Sequence, residues 1–417
     1  MISKNIFIVF LSLTLGACGT VPLHSAVPKD KVSQTVVEGY SANIRSWGDQ
    51  APENLDDVVA KRITQYKAAH QAEFEATGHY PPMEYLALSG GGNDGAFGAG
   101  LLNGWTKSGT RPQFAIVTGV STGALIAPFA FLGSDYDDEL KELYTTLKSE
   151  NIFIAGFSTI LDGITGGLAL TDNGPLFKKI EESVTKEMFD KIAAEHRKGR
   201  RLLIATTNVE AQRSVIWDMG SIANSGRPDA LKLFHKIMLA SSAIPGAFAP
   251  VFIDVTVDGK EYSEIHSDGG VTAQVFLYPL QSTSTESRIF KESGIERKLF
   301  VVRNTKITPE YKELDPGLLS LSERSVETLI KYQGVGDLYR LYVGAKRDGI
   351  DYNLIQVPET FQVVSKEMFD PEYMGQIFKL GYDMGVNGVQ WTKSPPYVEY
   401  TDDNVTTKDI KTPMPAQ

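Results

Sequence analysis

The chain has 417 residues, 42% of them hydrophobic, which is enough apolar content for one large α/β domain or two smaller ones. Its formal net charge of −10 and the lack of any basic patch exclude nucleic acid as a partner, and disfavour simple electrostatic adhesion to anionic lipid. With a single cysteine, no internal disulfide can form.

At the N-terminus, residues 1–17 combine Lys4, an apolar run from Ile6 to Leu15, and small residues. This is the pattern of a secretory signal peptide, too short to be a good spanning helix. Leu15-Gly16-Ala17-Cys18 resembles the bacterial lipobox, in which the cysteine becomes the lipid-carrying first residue, so Cys18 is the expected lipid attachment site. Gly19 and Thr20 resemble the residues of lipoproteins that are not retained at the inner membrane, and a Gram-negative outer membrane is the expected location. Residues 18–54 have no clear period and read as a lipidated tether. Leu55, Val58, Val59, Ile63 and Tyr66 then recur at helical spacing, predicting an N-terminal helical segment over 55–80 that Gly78, Pro81 and Pro82 end.

From there strands and helices alternate. Strands are expected at 84–88, 114–120, 201–210 and 298–304, with helices over Ala96–Lys107, Thr122–Leu132, Pro175–Val184 and Lys232–Ser242. This order predicts an α/β fold with a mainly parallel central sheet over 81–395, followed by a C-terminal tail at 396–417. Functional sites in such sheets form at the carboxyl ends of strands. The apolar stretch Asn151–Leu170 reads as core with a connecting loop, a mobile lid being the alternative.

Three motifs could carry chemistry. Gly119-Val120-Ser121-Thr122-Gly123 follows an apolar run and precedes a helix, matching the nucleophile elbow that lifts a serine hydroxyl out of a sheet. Gly90-Gly91-Gly92 lies at a similar strand-to-helix junction, where backbone amides suit a developing negative charge. Gly90-x-Gly92-x-x-Gly95 also fits a dinucleotide fingerprint, but no acid lies near Phe114–Val117, where a ribose would need one. The third motif, His266-Ser267-Asp268-Gly269-Gly270, read alone is an ordinary turn.

Taken in order, these motifs resemble the patatin-like phospholipases. Thr171–Leu176 (TDNGPL) and Ala240–Val251 (ASSAIPGAFAPV) extend the resemblance, which runs roughly from Glu84 to Pro279. It implies a three-layer α/β/α fold and a Ser-Asp dyad. Ser121 would be the nucleophile, Asp268 the general base, and Gly90, Gly91 and Gly92 the oxyanion loop, with Gly95, Gly119, Gly123, Gly269 and Gly270 shaping the corners. The implied reaction is hydrolysis of phospholipid or lysophospholipid carboxylic esters through an acyl-serine. It calls for no cofactor and no metal, and needs no Ca²⁺ because the base is a side chain. Asp268 can act as base only if burial raises its pKa toward working pH.

The sequence departs from the family pattern at Asn93-Asp94, where a cation is common, and at Gln274, in place of an asparagine. Asp94 is therefore expected to face away from the oxyanion or to cap the next helix. Two other readings stay open. One is a Ser-His-Asp esterase of another fold, built on His266 with Asp254 or Asp258; His235, on an apolar helical face, reads as core. The other is an envelope lipid-binding scaffold with a dead site.

Overall fold

A computed structural model describes residues 24–51, 54–146, 172–277, 284–396, 398–401 and 404–407. Nine strands form one sheet. They are β1 (Arg45–Trp47), β2 (Met83–Leu88), β3 (Ile116–Gly119), β4 (Arg201–Asn208), β5 (Arg213–Asp218), β6 (Val251–Val257), β7 (Lys260–Asp268), β8 (Arg297–Arg303) and β9 (Asp351–Gln356). The order is β1-β5-β4-β3-β2-β8-β9, with the β6–β7 hairpin joined to β4. Strands β4, β3, β2, β8 and β9 run parallel, while β5, β1 and β7 pair antiparallel at one side. The sheet is thus mainly parallel, in the α/β class that the alternation of elements predicts. Successive side chains on β2 show why it is buried on both faces. Leu86 and Leu88 enter one apolar core, while Tyr85 and Ala87 enter the other.

Twelve helices are described: α1 (Leu55–Ala69), α2 (Gln71–Thr77), α3 (Gly95–Lys107), α4 (Thr122–Leu132), α5 (Asp137–Thr146), α6 (Gly174–Ser183), α7 (Lys186–Arg197), α8 (Met219–Ala223), α9 (Ala230–Ser241), α10 (Ser284–Ser293), α11 (Leu318–Asp348) and α12 (Pro371–Val386). None of them is long and apolar enough to cross a membrane. Helix α3 packs against α12 through glycine on both sides. A Cβ on Gly100 or Gly104 would lie about 2 Å from the carbonyl oxygens of Phe378 or Tyr382, and Gly381 and Gly385 face the α3 backbone as closely. Two of the seven glycines in the stretch 86–105 therefore serve the packing of α3 on α12 rather than chemistry.

Three expectations need correction. The tether read over 18–54 is docked from His24 onward. His24 bonds Ser263 and Glu210, Val36 bridges Thr256, and β1 completes the edge of β5. Burial of Val37, Tyr40 and Ile44 and closure of an open strand edge favour the docked arm over a free one. The helical segment at 55–80 is two helices that break at His70, and Gly78 closes the second at φ 81°. The expected tail holds a short hairpin, β10 (Val398–Thr401) with β11 (Asn404–Thr407). Cys18 and Asn151–Leu170 lie outside the described residues.

Candidate active site

Ser121 stands between β3 and α4 with φ 55° and ψ −124°, a conformation a side-chain-bearing residue rarely adopts. Its neighbours enforce it. A Cβ on Gly119 would lie 2.4 Å from the Gly123 carbonyl oxygen, and one on Gly123 would lie 2.4 Å from that of Leu88. Only glycine fits at either place. Ser241 and Ser242 fix the corner from α9 and the residue after it. Ser241 Oγ accepts from the Ser121 amide at 3.1 Å and donates to the Ala205 carbonyl, and Ser242 Oγ donates to the Ser121 carbonyl. Backbone strain held by surrounding packing is the usual mark of a nucleophile elbow. The Ser121 side of this corner is 7% exposed, so the serine is nearly dry.

Asp268 closes β7, opposite Thr206 of β4. Its amide donates to the Ala243 carbonyl at 2.9 Å, and Oδ1 accepts from the Gly270 amide at 2.7 Å. Oδ2 is buried and closes no hydrogen bond of ordinary geometry among the described residues. The Ser121 side chain is still near enough to favour the charged carboxylate. Such contacts are commonly loose in a free enzyme and tighten around substrate. Burial pushes the Asp268 pKa up to about 6, with Ser121 and the Gly270 amide pulling the other way. A carboxylate in this state can take a proton near neutral pH.

The glycine loop runs past Ser121, since a Cβ on Gly90 would sit 3.3 Å from the Ser121 Cβ. Its three amides are not equivalent. That of Gly90 donates to the Gln274 carbonyl at 3.0 Å, so Gly90 shapes the loop and is not an oxyanion donor, a correction to the sequence expectation. The amides of Gly91 and Gly92 have no partner among the described residues. The amide of Thr122, at the first position of α4, is likewise available. Gly95 lets the starts of α3 and α4 meet, because a Cβ there would overlap the Thr122 side chain. Gly269 passes the Ala205 carbonyl as tightly, and Gly270 lies against Gln274.

Gln274 ties the two loops together. Its side-chain amide donates to the Gly270 carbonyl at 2.8 Å, its carbonyl accepts from Gly90, and its own amide donates to Asp337 of α11 at 2.7 Å. Ser89 and Asn304 brace the same loop from β2 and β8: Ser89 Oγ donates to the Gly90 carbonyl and accepts from the Asn304 amide. These supports were not legible in the sequence. Asp94 turns away from the site, as expected, but caps nothing; it accepts from the Tyr373 hydroxyl at 2.6 Å. Burial pushes its pKa up to about 6.

The histidines are committed elsewhere. His266 is fully buried, with Nδ1 2.8 Å from Thr206 Oγ1 and Nε2 3.0 Å from Glu264. Burial lowers its pKa, despite Glu264. His235 Nε2 donates to the Val184 carbonyl inside the core. Asp254 and Asp258 pair with Lys236 and Lys31 at the β6–β7 hairpin, away from Ser121. Neither histidine is brought to the serine.

Residues 86–280 match the family model described as Patatin: patatin-like phospholipase. The match covers slightly less than half of the chain and marks that segment as similar to a patatin-like phospholipase domain. The match lies within two residues of the span Glu84–Pro279 on which the motifs were read. No curated protein matches the chain. Among solved structures, it is similar to VipD from Legionella pneumophila at 11% identity and TM-score 0.35, covering 73% of this chain and 66% of that one. It is also similar to human GIVD cytosolic phospholipase A2 at 9% identity and TM-score 0.31, covering 76% and 55%. The chain thus spans less than two thirds of the length of either.

Proposed function

We propose that this protein hydrolyses the carboxylic esters of phospholipids or lysophospholipids through an acyl-Ser121 intermediate. The observation that carries the reading is a strained, nearly dry Ser121 facing a buried carboxylate that has no cation beside it among the described residues, next to the Gly91 and Gly92 amides, which have no partner among them either. Asp268 takes the hydroxyl proton as Oγ bonds the acyl carbon, and the amides receive the carbonyl oxygen as it becomes an oxyanion. The C–O bond to the alcohol breaks, and Asp268 returns the proton to the leaving oxygen. Water, deprotonated by the same carboxylate, then bonds the acyl carbon; the bond from that carbon to Ser121 Oγ breaks, Asp268 returns the proton to Oγ, and the fatty acid leaves. The amides of the loop matter more here than in a triad, since no imidazole shares the proton transfer.

The test is release of fatty acid from a panel of phospholipids and lysophospholipids, with product masses assigning the position cleaved. A fluorophosphonate probe should label Ser121, and chelators should leave the rate unchanged. No release from any acyl ester, or no labelling, rejects the reading; the latter result favours a scaffold with a dead site. We further propose that Cys18 carries lipid and holds the protein at a Gram-negative outer membrane, supported by the signal-like segment and Leu15-Gly16-Ala17-Cys18. Cys18→Ser should leave a soluble or unprocessed protein. Fractionation of that variant as a mature membrane protein would place the anchor elsewhere.

A further inference from the structure

Helix α11 connects β8 to the parallel strand β9, so it runs back along the sheet and begins at the carboxyl end, where Ser121 and Asp268 sit. It has 31 residues, or ~46 Å of helix, whereas the seven residues of β8 span only ~23 Å. About half of the helix therefore has no sheet beneath it. The two halves are built differently. In the C-terminal half Leu338, Leu341, Tyr342 and Ala345 are buried in the core.

In the N-terminal half the pattern is turned inside out. Arg324 and Lys331 lie on the side that continues the core face, and they are used up there. Arg324 bonds Glu327 and the Glu310 carbonyl, while Lys331 bonds Glu310 and the Thr308 carbonyl. Leu318, Leu321, Val326, Leu329, Ile330 and Tyr332 fall within about half of the helix circumference at 3.6 residues per turn, and all are exposed. Leu318 is 86% exposed, Leu329 71% and Tyr332 62%. A surface helix normally turns its apolar face to the core. One that ties its charges inward and presents leucines to water is poised to meet an apolar phase.

The position of the stripe says which phase. Gln333 at its inner end donates to the carbonyl of Val271, three residues beyond Asp268, and Val271 is itself exposed. The apolar face is continuous with the rim of the catalytic loop. The docked N-terminal arm reaches the same end of the sheet, since His24 bonds Glu210, just past the carboxyl end of β4. Cys18 is six residues ahead of His24, a reach of ~20 Å at most.

We infer that the N-terminal half of α11 is a membrane-docking helix that lays Leu318 to Tyr332 into the acyl boundary of a bilayer and brings the mouth of the Ser121–Asp268 site onto its substrate surface. The inference rests on the lipid hydrolase reading proposed above, and its test separates the two. The full chain with Cys18→Ser, lacking any acyl anchor, is floated with vesicles of phosphatidylethanolamine and phosphatidylglycerol, with and without Leu321→Ser/Leu329→Ser. The double substitution should lower the bound fraction at least ~10-fold, given the apolar area of two leucines. Vesicle phospholipid turnover should fall in proportion, while hydrolysis of a soluble short-chain ester stays the same.

Unchanged flotation overturns the inference, as does an equal fall on soluble ester, which makes the stripe structural. Flotation unchanged while the substitutions convert a dimer to a monomer assigns the stripe to a second copy of this chain. If the parent protein hydrolyses neither lipid nor ester, the catalytic reading fails on its own, and flotation still decides the docking.

Discussion

Two carboxylates on β7, Glu264 and Asp268, are both buried and lie four residues apart, yet the fold treats them in opposite ways. Glu264 is surrounded by donors: Arg45 grips both oxygens at 2.7 and 3.0 Å, and Thr35 and His266 complete the set. Burial alone would raise its pKa; the hydrogen bonds from His266 and Arg45 and the charge of Arg45 outweigh that and hold it well below the usual carboxylate range. Asp268 receives one backbone amide and has no cation beside it among the described residues, so burial dominates. A carboxylate saturated with donors is a structural anion. One left short of them is a base.

Their effects on stability run in opposite directions with pH. Glu264, depressed in the fold, contributes stability above its unfolded pKa of 4.5, and this is lost as pH falls. Asp268, raised in the fold, contributes stability that is complete below 3.8 and is lost as pH rises through about 6. At pH 7 the protein therefore carries Asp268 ionised at a cost to its own stability. Asp268→Asn should separate function from folding. Turnover of a soluble ester should fall by ~10²–10⁴-fold, while the melting temperature at pH 7.5 does not fall. Loss of both together would make Asp268 structural, like its neighbour.

Gly91→Ala tests the other half of the machinery. Gly91 has φ 153°, and a Cβ there would meet Thr305 and Asn304 at 3.0 and 3.1 Å. Displacing the loop should lower kcat by ~10²–10³-fold with little change in KM; an unchanged kcat would move the oxyanion site elsewhere. Glu264→Gln should do the reverse of Asp268→Asn. It strands Arg45, and denaturant unfolding should show a loss of about 3–5 kcal/mol, with activity per folded molecule retained.

His266→Ala should also keep most activity and lower the melting temperature by opening a cavity between Thr206 and Glu264. A dead His266 variant beside an active Asp268→Asn would replace the dyad with a histidine mechanism. The smallest effect is the pH profile. kcat/KM should decline tenfold per unit below about pH 6, where Asp268 protonates. Asp94 is pushed to about the same value, so Asp94→Asn is the control, and it should leave that limb in place.

The comparison also explains what was legible in the sequence. Ser121 and Asp268 could be found because their corners demand particular residues: Gly119, Gly123 and Gly269 pass backbone carbonyls at distances no side chain tolerates. Strands such as β2 and β4 carried continuous apolar runs, so the parallel sheet could be read from them. The support of the oxyanion loop could not. Gln274 acts there through its backbone carbonyl as well as its amide, and Asp337 is 63 residues away from it. Nothing about either residue type signals the role. The arm at 24–47 failed for a different reason. Its strand is three residues long and takes its stability from pairing with β5, which leaves no periodicity to detect.

That arm has a consequence for how the molecule is made. Arg45 emerges early in synthesis, but the carboxylate it neutralises, Glu264, comes 219 residues later. Until then Arg45 has no buried partner, the outer edge of β5 stays open once it forms, and the antiparallel side of the sheet cannot close. Contacts of such long sequence separation form slowly and leave strand edges exposed to other chains while they wait. The arm is thus the first piece of the sheet to be translated, yet it cannot be fastened until β5 and Glu264 of β7 have followed it. Cutting the chain between Trp47 and Leu55 would leave a domain with its charge-pairing partner missing rather than a trimmed one.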